Sequence, residues 1–93
     1  MVVKVLIPSA LRQFADKTDS IELDGKNVGE VLKNLSKKFP LLEKHMFKED
    51  GTLRSFVNIF LNGENIREIG GNNAVVKNND TIMIVPSIAG GKK

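Results

Sequence analysis

The chain reads Phe56-Val57-Asn58-Ile59-Phe60-Leu61-Asn62-Gly63 at its most regular segment. Val57, Ile59 and Leu61 alternate with the other side chains, which is the two-residue period of a β-strand with one face in a core. Asn62-Gly63 supplies the residue types of a tight turn. The segment therefore predicts a strand that ends in a turn, and its neighbours in the sheet must come from the flanking sequence.

On the carboxyl-terminal side, a second strand is predicted over residues 81–85. Ile82, Met83, Ile84 and Val85 form a continuous apolar run, which is typical of a strand that is covered on both faces. Between the two strands, a short return segment and the loop 70–73 are predicted. The most apolar strand is expected in the middle of the sheet.

On the amino-terminal side, two strands are predicted to pair as a hairpin. Val3, Val5 and Ile7 alternate with Lys4 and Leu6, and a second alternation follows over residues 20–23. Each pattern places one face of a strand in the core.

One amphipathic helix is predicted after Asn27. Asn27 stands three residues before Glu30, so its side chain can accept from a helix amide while Glu30 reaches back. Apolar residues at helical spacing give a buried stripe: Val28, Val31, Leu32, Leu35 and Phe39. Pro40 disfavours helical geometry at the preceding residue and ends the helix. The segment 41–55 has a weaker pattern and is predicted to be a covering loop.

The predicted order is strand, strand, helix, strand, short strand, strand. One main helix that covers a mixed sheet of four to five strands, with a right-handed crossover, is an α+β fold of the β-grasp (ubiquitin-like) type. We predict a domain over residues 1–86 and a flexible tail over residues 87–93.

The composition is that of one globular domain. Of the 93 residues, 41% are apolar and 27% are charged, and this length fits a single core. The absence of cysteine excludes disulfides and thiolate metal sites. The amino-terminal apolar run is too short for a signal peptide or a membrane span. We expect a cytoplasmic protein with no membrane partner.

The formal net charge is +3, but the basic residues are spread among acidic ones. A nucleic-acid partner requires basic residues gathered on one face, so none is expected. His45 is the single histidine, and no metal site and no catalytic residue are predicted.

The chain ends Pro86-Ser87-Ile88-Ala89-Gly90-Gly91-Lys92-Lys93. With the 56–63 run, Ile66-Arg67 and Asn79-Asp80, this ending resembles the ubiquitin-like sulfur-carrier family. That family includes the small subunit of molybdopterin synthase, the thiamine sulfur carrier and a carrier of a cysteine-synthesis route. The likeness covers nearly the whole chain. The length of the chain is more similar to that of the cysteine-route and molybdopterin carriers than to that of the shorter thiamine carrier.

The resemblance implies a carrier that is not itself an enzyme. In the family, a separate adenylating enzyme uses ATP to activate the terminal carboxylate, and sulfur then gives a thiocarboxylate that serves a sulfur-accepting synthase. The resemblance assigns the reactive carboxyl to Gly91. Ala89 and Gly90 precede it and keep the tail narrow, since glycine adds no side-chain width. No cofactor is expected to be bound by the carrier.

Lys92 and Lys93 depart from the simplest family pattern. Gly91 is joined to Lys92 by an amide, which cannot be adenylated as a carboxylate can. The resemblance therefore implies a processing peptidase, often zinc-dependent for such precursors, that removes both lysines.

A docking face for partner proteins is also expected. In a β-grasp sheet Leu6, Phe60 and Met83 should lie together on the side away from the helix, and Ile88 should extend this face. Contiguous apolar side chains on a surface mark docking sites. The alternative is that the segment 41–47 folds over them.

Two other functions remain open. The protein is a ubiquitin-like modifier if Gly91 forms isopeptide bonds with target lysines, and a plain interaction domain if the tail is never activated. The sequence does not name the final sulfur acceptor.

Overall fold

The computed structural model describes residues 2–86. Its five strands are β1 (Val2–Leu6), β2 (Ser20–Asp24), β3 (Val57–Leu61), β4 (Glu64–Asn65) and β5 (Thr81–Pro86). Its two α-helices are α1 (Val28–Lys38) and α2 (Pro40–Met46). Three short 3-10 helices span Ser9–Phe14, Ile66–Glu68 and Gly71–Asn73.

The strands form one mixed sheet in the order β2-β1-β5-β3-β4. β1 pairs antiparallel with β2 and parallel with β5, whereas β3 pairs antiparallel with both β5 and β4. The predicted β-grasp fold is confirmed, as are the pairing of the first two strands and the central place of the last strand.

The inner face of the sheet forms the core with α1. Val3 and Val5 of β1, Ile59 of β3, and Ile82 and Ile84 of β5 are at most 1% exposed. On α1, four side chains of the predicted stripe are at most 2% exposed: Val28, Val31, Leu32 and Leu35. Burial of this kind stabilises a fold by about 25 cal/mol for each Å² of apolar surface removed from water.

The prediction that both faces of β5 are covered is wrong. Met83 is 44% exposed and Val85 is half-buried, although Ile82 and Ile84 are buried. Successive side chains of a strand point to opposite faces, so Met83 and Val85 lie on the face away from α1. The apolar run of β5 therefore includes an outward-facing apolar surface.

The predicted cap of α1 is confirmed with one shift. The side chain of Asn27 accepts from the backbone N–H of Glu30 at 2.8 Å. The Glu30 carboxylate accepts from the backbone N–H of Lys26 at 2.9 Å, one residue earlier than a standard capping box places it. Two amides at the start of the helix are thus satisfied by side chains.

The prediction of a loop after α1 is wrong, because residues 40–46 form α2. Proline has no N–H to lose at the first position of a helix, so Pro40 ends α1 and begins α2. Leu42 and Met46 are at most 1% exposed, and α2 contacts α1 and the 3-10 helix Ser9–Phe14. The segment 41–47 therefore packs on the helical side and does not fold over the outer face of the sheet.

A polar network ties the end of β3 to the start of β5. Asn62 adopts a left-handed φ of 51°, and its side chain donates to Asp80 at 3.0 Å and accepts from the Thr81 N–H at 2.9 Å. The other oxygen of Asp80 accepts from the Lys77 N–H at 2.7 Å. The Asp80 carbonyl accepts from the Lys4 N–H at 2.9 Å, so the network also reaches β1.

Loss of the α1 cap should destabilise the protein. We expect Asn27→Ala to lower the free energy of unfolding by about 1 kcal/mol, because the Glu30 amide loses its acceptor. Urea unfolding followed by circular dichroism measures the change. Asn73→Ala, at an exposed site whose side chain makes no hydrogen bond within residues 2–86, is the matched control, and equal losses in the two variants would contradict a capping role.

Stability should also fall in acid through Asp80. Hydrogen bonds from the Asn62 amide and the Lys77 N–H hold the pKa of Asp80 below its ordinary value of 3.8. Because the folded-state pKa is the lower one, the carboxylate stabilises the fold above pH 3.8, and this contribution is lost as the pH falls through the folded-state pKa.

Urea unfolding at several pH values should show this loss, and Asp80→Asn should reduce the slope below the ordinary carboxyl pKa. Asp19→Asn, which removes the same charge at an exposed carboxylate, is the matched control. Part of the slope should persist in both variants, because Thr52 lowers the pKa of Asp50 as well. An identical pH profile for the wild type and Asp80→Asn would count against the network.

Candidate functional site

The structure brings together the three described residues of the expected docking face. Leu6 of β1 is in register with Met83 of β5, and Met83 is in register with Phe60 of β3. Register partners on adjacent strands point to the same face. Leu6, Met83 and Phe60 therefore form one continuous row across three strands, which we call the apolar row.

The apolar row is accessible to solvent. Met83 is 44% exposed, and Leu6 and Phe60 are half-buried. Both α-helices pack on the opposite side, since the inward residues of the same strands form the core with them. A contiguous apolar surface of this kind is a common mark of a protein-binding site.

A depression of about 510 Å³ adjoins the row where β5 ends. Its lining includes Leu6 and Met83 of the row, together with Pro8, Val85 and Pro86. Pro86 is the last residue of β5 and the last residue that the structure describes. The depression therefore lies at the carboxyl-terminal end of β5.

Sequence reasoning placed only Leu6 and Met83 of this lining in the docking face, and Pro8 and Arg12 are among the residues that it missed. Arg12 is held by a hydrogen bond from Nε to the carbonyl of Ile7 at 3.0 Å. Arg12 and the end of β5 line the same depression although they are far apart in the sequence, and no sequence pattern predicts that they lie together.

The rim of the apolar row carries positive charge. Arg67 donates from Nη1 to the side chain of Asn58 at 2.9 Å and from Nη2 to the carbonyl of Val57 at 3.3 Å. These bonds hold the guanidinium against β3. Lys4 lies two residues before the row on β1, although Glu22 stands opposite it on β2. Such a rim suits a partner with acidic groups around an apolar contact.

The remaining predicted site residues lie outside the described part of the chain. These are Ile88 of the docking face, Ala89, Gly90 and Gly91 of the tail, and the extension Lys92 and Lys93. The roles assigned to them from the sequence remain predictions.

The described residues offer no other evident chemistry. Within residues 2–86, no group of three or more His, Cys, Asp or Glu side chains could hold a metal ion. His45 is exposed, and its ring stacks on Phe14 with centroids 3.7 Å apart. No helix in this part of the chain has the length and apolar character needed to cross a membrane.

Comparison with known protein families shows to which family the chain belongs. The model of the ThiS family matches residues 5–91. The chain belongs to the ThiS family. The match begins within β1, includes all three residues of the apolar row, and ends at Gly91.

Relatives of this ThiS-family chain include a sulfur carrier and a modifier. The sulfur carrier protein CysO of Mycobacterium bovis is 31% identical over 93 residues, which cover 98% of this chain and 100% of CysO. The fold is similar to a chain of the BexX/CysO complex of Amycolatopsis orientalis, with 35% identity and a TM-score of 0.86 over 96% of this chain and 99% of that one.

The small archaeal modifier protein 1 of Methanosarcina acetivorans is equally similar in structure. It has 35% identity and a TM-score of 0.86 over 97% of this chain and 96% of that one. The resemblance to sulfur carriers is thus confirmed at the level of the family, which also has relatives named as modifiers.

Proposed function

We propose that this protein is a sulfur carrier whose processed terminal glycine, Gly91, receives sulfur as a thiocarboxylate. The observation that supports this most is the family match, which runs from β1 through the tail and ends at Gly91. The match to the sulfur carrier protein CysO, which covers the full length of CysO, supports the same function.

The chemistry requires a free carboxylate at Gly91. The carboxylate oxygen attacks the α-phosphorus of ATP, and pyrophosphate leaves, which gives an acyl adenylate. A hydrosulfide ion then attacks the carbonyl carbon, AMP leaves with the electron pair of the broken C–O bond, and loss of the proton on sulfur leaves a thiocarboxylate. ATP is bound by the adenylating enzyme, so the carrier acts as a cosubstrate and supplies no catalytic residue.

The amide between Gly91 and Lys92 places a hydrolytic step before activation. A peptidase that cuts after Gly91 releases Lys92-Lys93 and leaves the carboxylate. Because the activating step uses ATP, we place the whole sequence of reactions in the cytoplasm.

The apolar row provides a surface for the enzymes that must hold the carrier while its tail reacts. The row and the adjoining depression lie beside Pro86, five residues before Gly91. An extended chain spans at most about 3.6 Å for each residue, so a partner bound at the row has its reactive site within about 18 Å of Pro86.

The adenylating enzyme and the sulfur-accepting synthase are the two partners proposed. That a BexX/CysO complex exists for a relative supports docking of this kind.

A second function has support from the likeness to a small archaeal modifier protein. In that case the activated Gly91 carbonyl is attacked by the amine of a target lysine, and an isopeptide bond forms. The activation step is shared, so the two functions differ in the nucleophile and not in the carrier.

The intact mass of the protein, isolated without a tag from its own cells, tests the proposal. We expect a mass short by two lysine residues, with a fraction heavier by the difference between sulfur and oxygen. Gly91→Ala should lose the heavier fraction, since a side chain at the terminus widens the tail that the adenylating enzyme must admit. Ser55→Ala, at an exposed site, is the control and should keep the heavier fraction. Gly63→Ala is not suitable as a control, because it would strain a turn residue with a left-handed φ of 89°.

A full-length mass throughout, in cells that need the acceptor pathway, would instead favour a plain interaction domain. Higher-mass conjugates that disappear in Gly91→Ala, without a thiocarboxylate fraction, would identify a modifier. A chain truncated after Gly91 should accept sulfur without the peptidase, which separates failure of processing from failure of activation.

The apolar row should be needed for binding to the adenylating enzyme. We expect Met83→Asp to weaken binding by at least about tenfold, because a carboxylate is forced into an apolar contact. Isothermal titration of the purified enzyme with the carrier measures the change.

Val75→Asp is the matched control for the row. Val75 is 73% exposed and lies beside α1, bridged to Asn27, so the same change of charge there should leave binding unaltered. Circular dichroism should show that both variants are folded. Unaltered binding by a folded Met83→Asp variant would remove the apolar row from the proposal.

A further inference from the structure

A groove of about 1000 Å³ runs between α1, α2 and the segment 47–54. Its walls include none of the residues of the apolar row. Since α1 covers the inner face of the sheet, the groove lies on the helical side of the protein, away from the row. The groove has no part in the proposed chemistry of the tail.

Cations predominate along the groove. Five basic residues line it: Lys33, Lys37, Lys44, Lys48 and Arg54. Two carboxylates, Glu43 and Glu49, lie among them, so the groove has an excess of three positive charges. This equals the formal net charge of the whole chain, which is +3. The basic residues appear scattered in the sequence, but the packing of α1 against α2 gathers several of them at one place.

One wall of the groove is held in place by hydrogen bonds. Arg54 donates from Nε and Nη2 to the carbonyl of Lys44, at 3.3 and 3.1 Å. The Arg54 N–H also donates to the carbonyl of Met46 at 2.9 Å. Carbonyls in the last turn of a helix lack partners within the helix, so these bonds satisfy the end of α2. The guanidinium is therefore fixed at the groove before any ligand binds.

The groove also has apolar surface. Leu32 is buried at 2% exposure, Phe47 is half-buried, and Pro40 is exposed beside them. Binding of single-stranded nucleic acid relies on aromatic side chains that stack with successive bases, and Phe47 is the one aromatic residue of the described lining. A ligand that combines carboxylates with an apolar side chain matches this surface better than a phosphate backbone.

We propose that this groove binds an acidic, amphipathic segment of a partner protein. Carboxylates of the segment pair with the lysines along the two helices, and an apolar side chain packs over Phe47 and Pro40. This binding does not require activation of the tail. Because the apolar row lies on the other side of the sheet, the groove can be occupied while an enzyme is docked at the row.

The test uses the full chain and a synthetic peptide of about 14 residues, an ordinary helix length. The peptide carries Glu at most positions and Leu at helical spacing. Fluorescence anisotropy gives the dissociation constant, and amide chemical shifts in NMR spectra locate the contact. We expect shifts at α1, α2 and the segment 47–54, and weaker binding as salt rises from about 50 to about 300 mM.

Matched variants distinguish the groove from general charge attraction. Lys37→Gln/Lys44→Gln should weaken binding about fivefold. Lys26→Gln/Lys77→Gln removes the same charge at two exposed lysines outside the groove and should change the dissociation constant less than about twofold. The four single variants give an independent comparison if a double variant is less stable.

Several outcomes would overturn the proposal. Shifts concentrated on the apolar row, or equal weakening by the two double variants, would mean that the groove is not the site. Equal binding of a peptide in which Ser replaces each Leu would exclude the apolar contact. Tighter binding of a single-stranded RNA of similar length would assign the groove to nucleic acid instead.

Discussion

The fold depends on the insertion of β5 between β1 and β3. This strand comes from the end of the described chain, yet it pairs on one side with the first strand and on the other with the third. Its inward side chains, Ile82 and Ile84, fill the centre of the core under α1. Because backbone groups in a core must be hydrogen-bonded, neither half of the sheet is complete until this strand is in place. The Asn62 and Asp80 network at its first residue fixes where the pairing begins.

The central position of β5 also explains how one short strand can serve structure and function. Residues 82 and 83 of β5 are paired on both sides, whereas its end, residues 84–86, is paired with β3 alone. The strand that precedes the tail is therefore held by two ladders near its start and by one ladder at its end. The apolar row crosses β5 at Met83, three residues before Pro86. In the proposed function, a partner that binds the row is thereby aligned with the start of the tail, and this arrangement reduces the freedom that the proposed reactive glycine must lose.

The two surfaces of the protein differ in chemistry because they derive from different elements. The row comes from alternate residues of three strands, with Arg67 held at its edge by Asn58. The groove comes from two helices whose outward residues are mainly charged, and Arg54 is fixed there by the Lys44 carbonyl. An apolar contact and a basic contact recruit different classes of partner. One small domain can in this way present separate sites on the two sides of its sheet.

The sequence by itself determined the strands, the cap of α1 and the family of the protein. These rest on local patterns: the alternation in β1 and β3, the spacing of Asn27 and Glu30, and the glycine pair of the tail. It failed for α2, since a seven-residue helix that begins at a proline shows little periodicity, and it failed for the outer face of β5, since an apolar run does not reveal which face is covered. Only the tertiary structure decided that both helices pack on one side, which leaves the apolar row open and gathers the lysines of the groove. Such juxtapositions depend on packing between distant segments, and no local pattern encodes them.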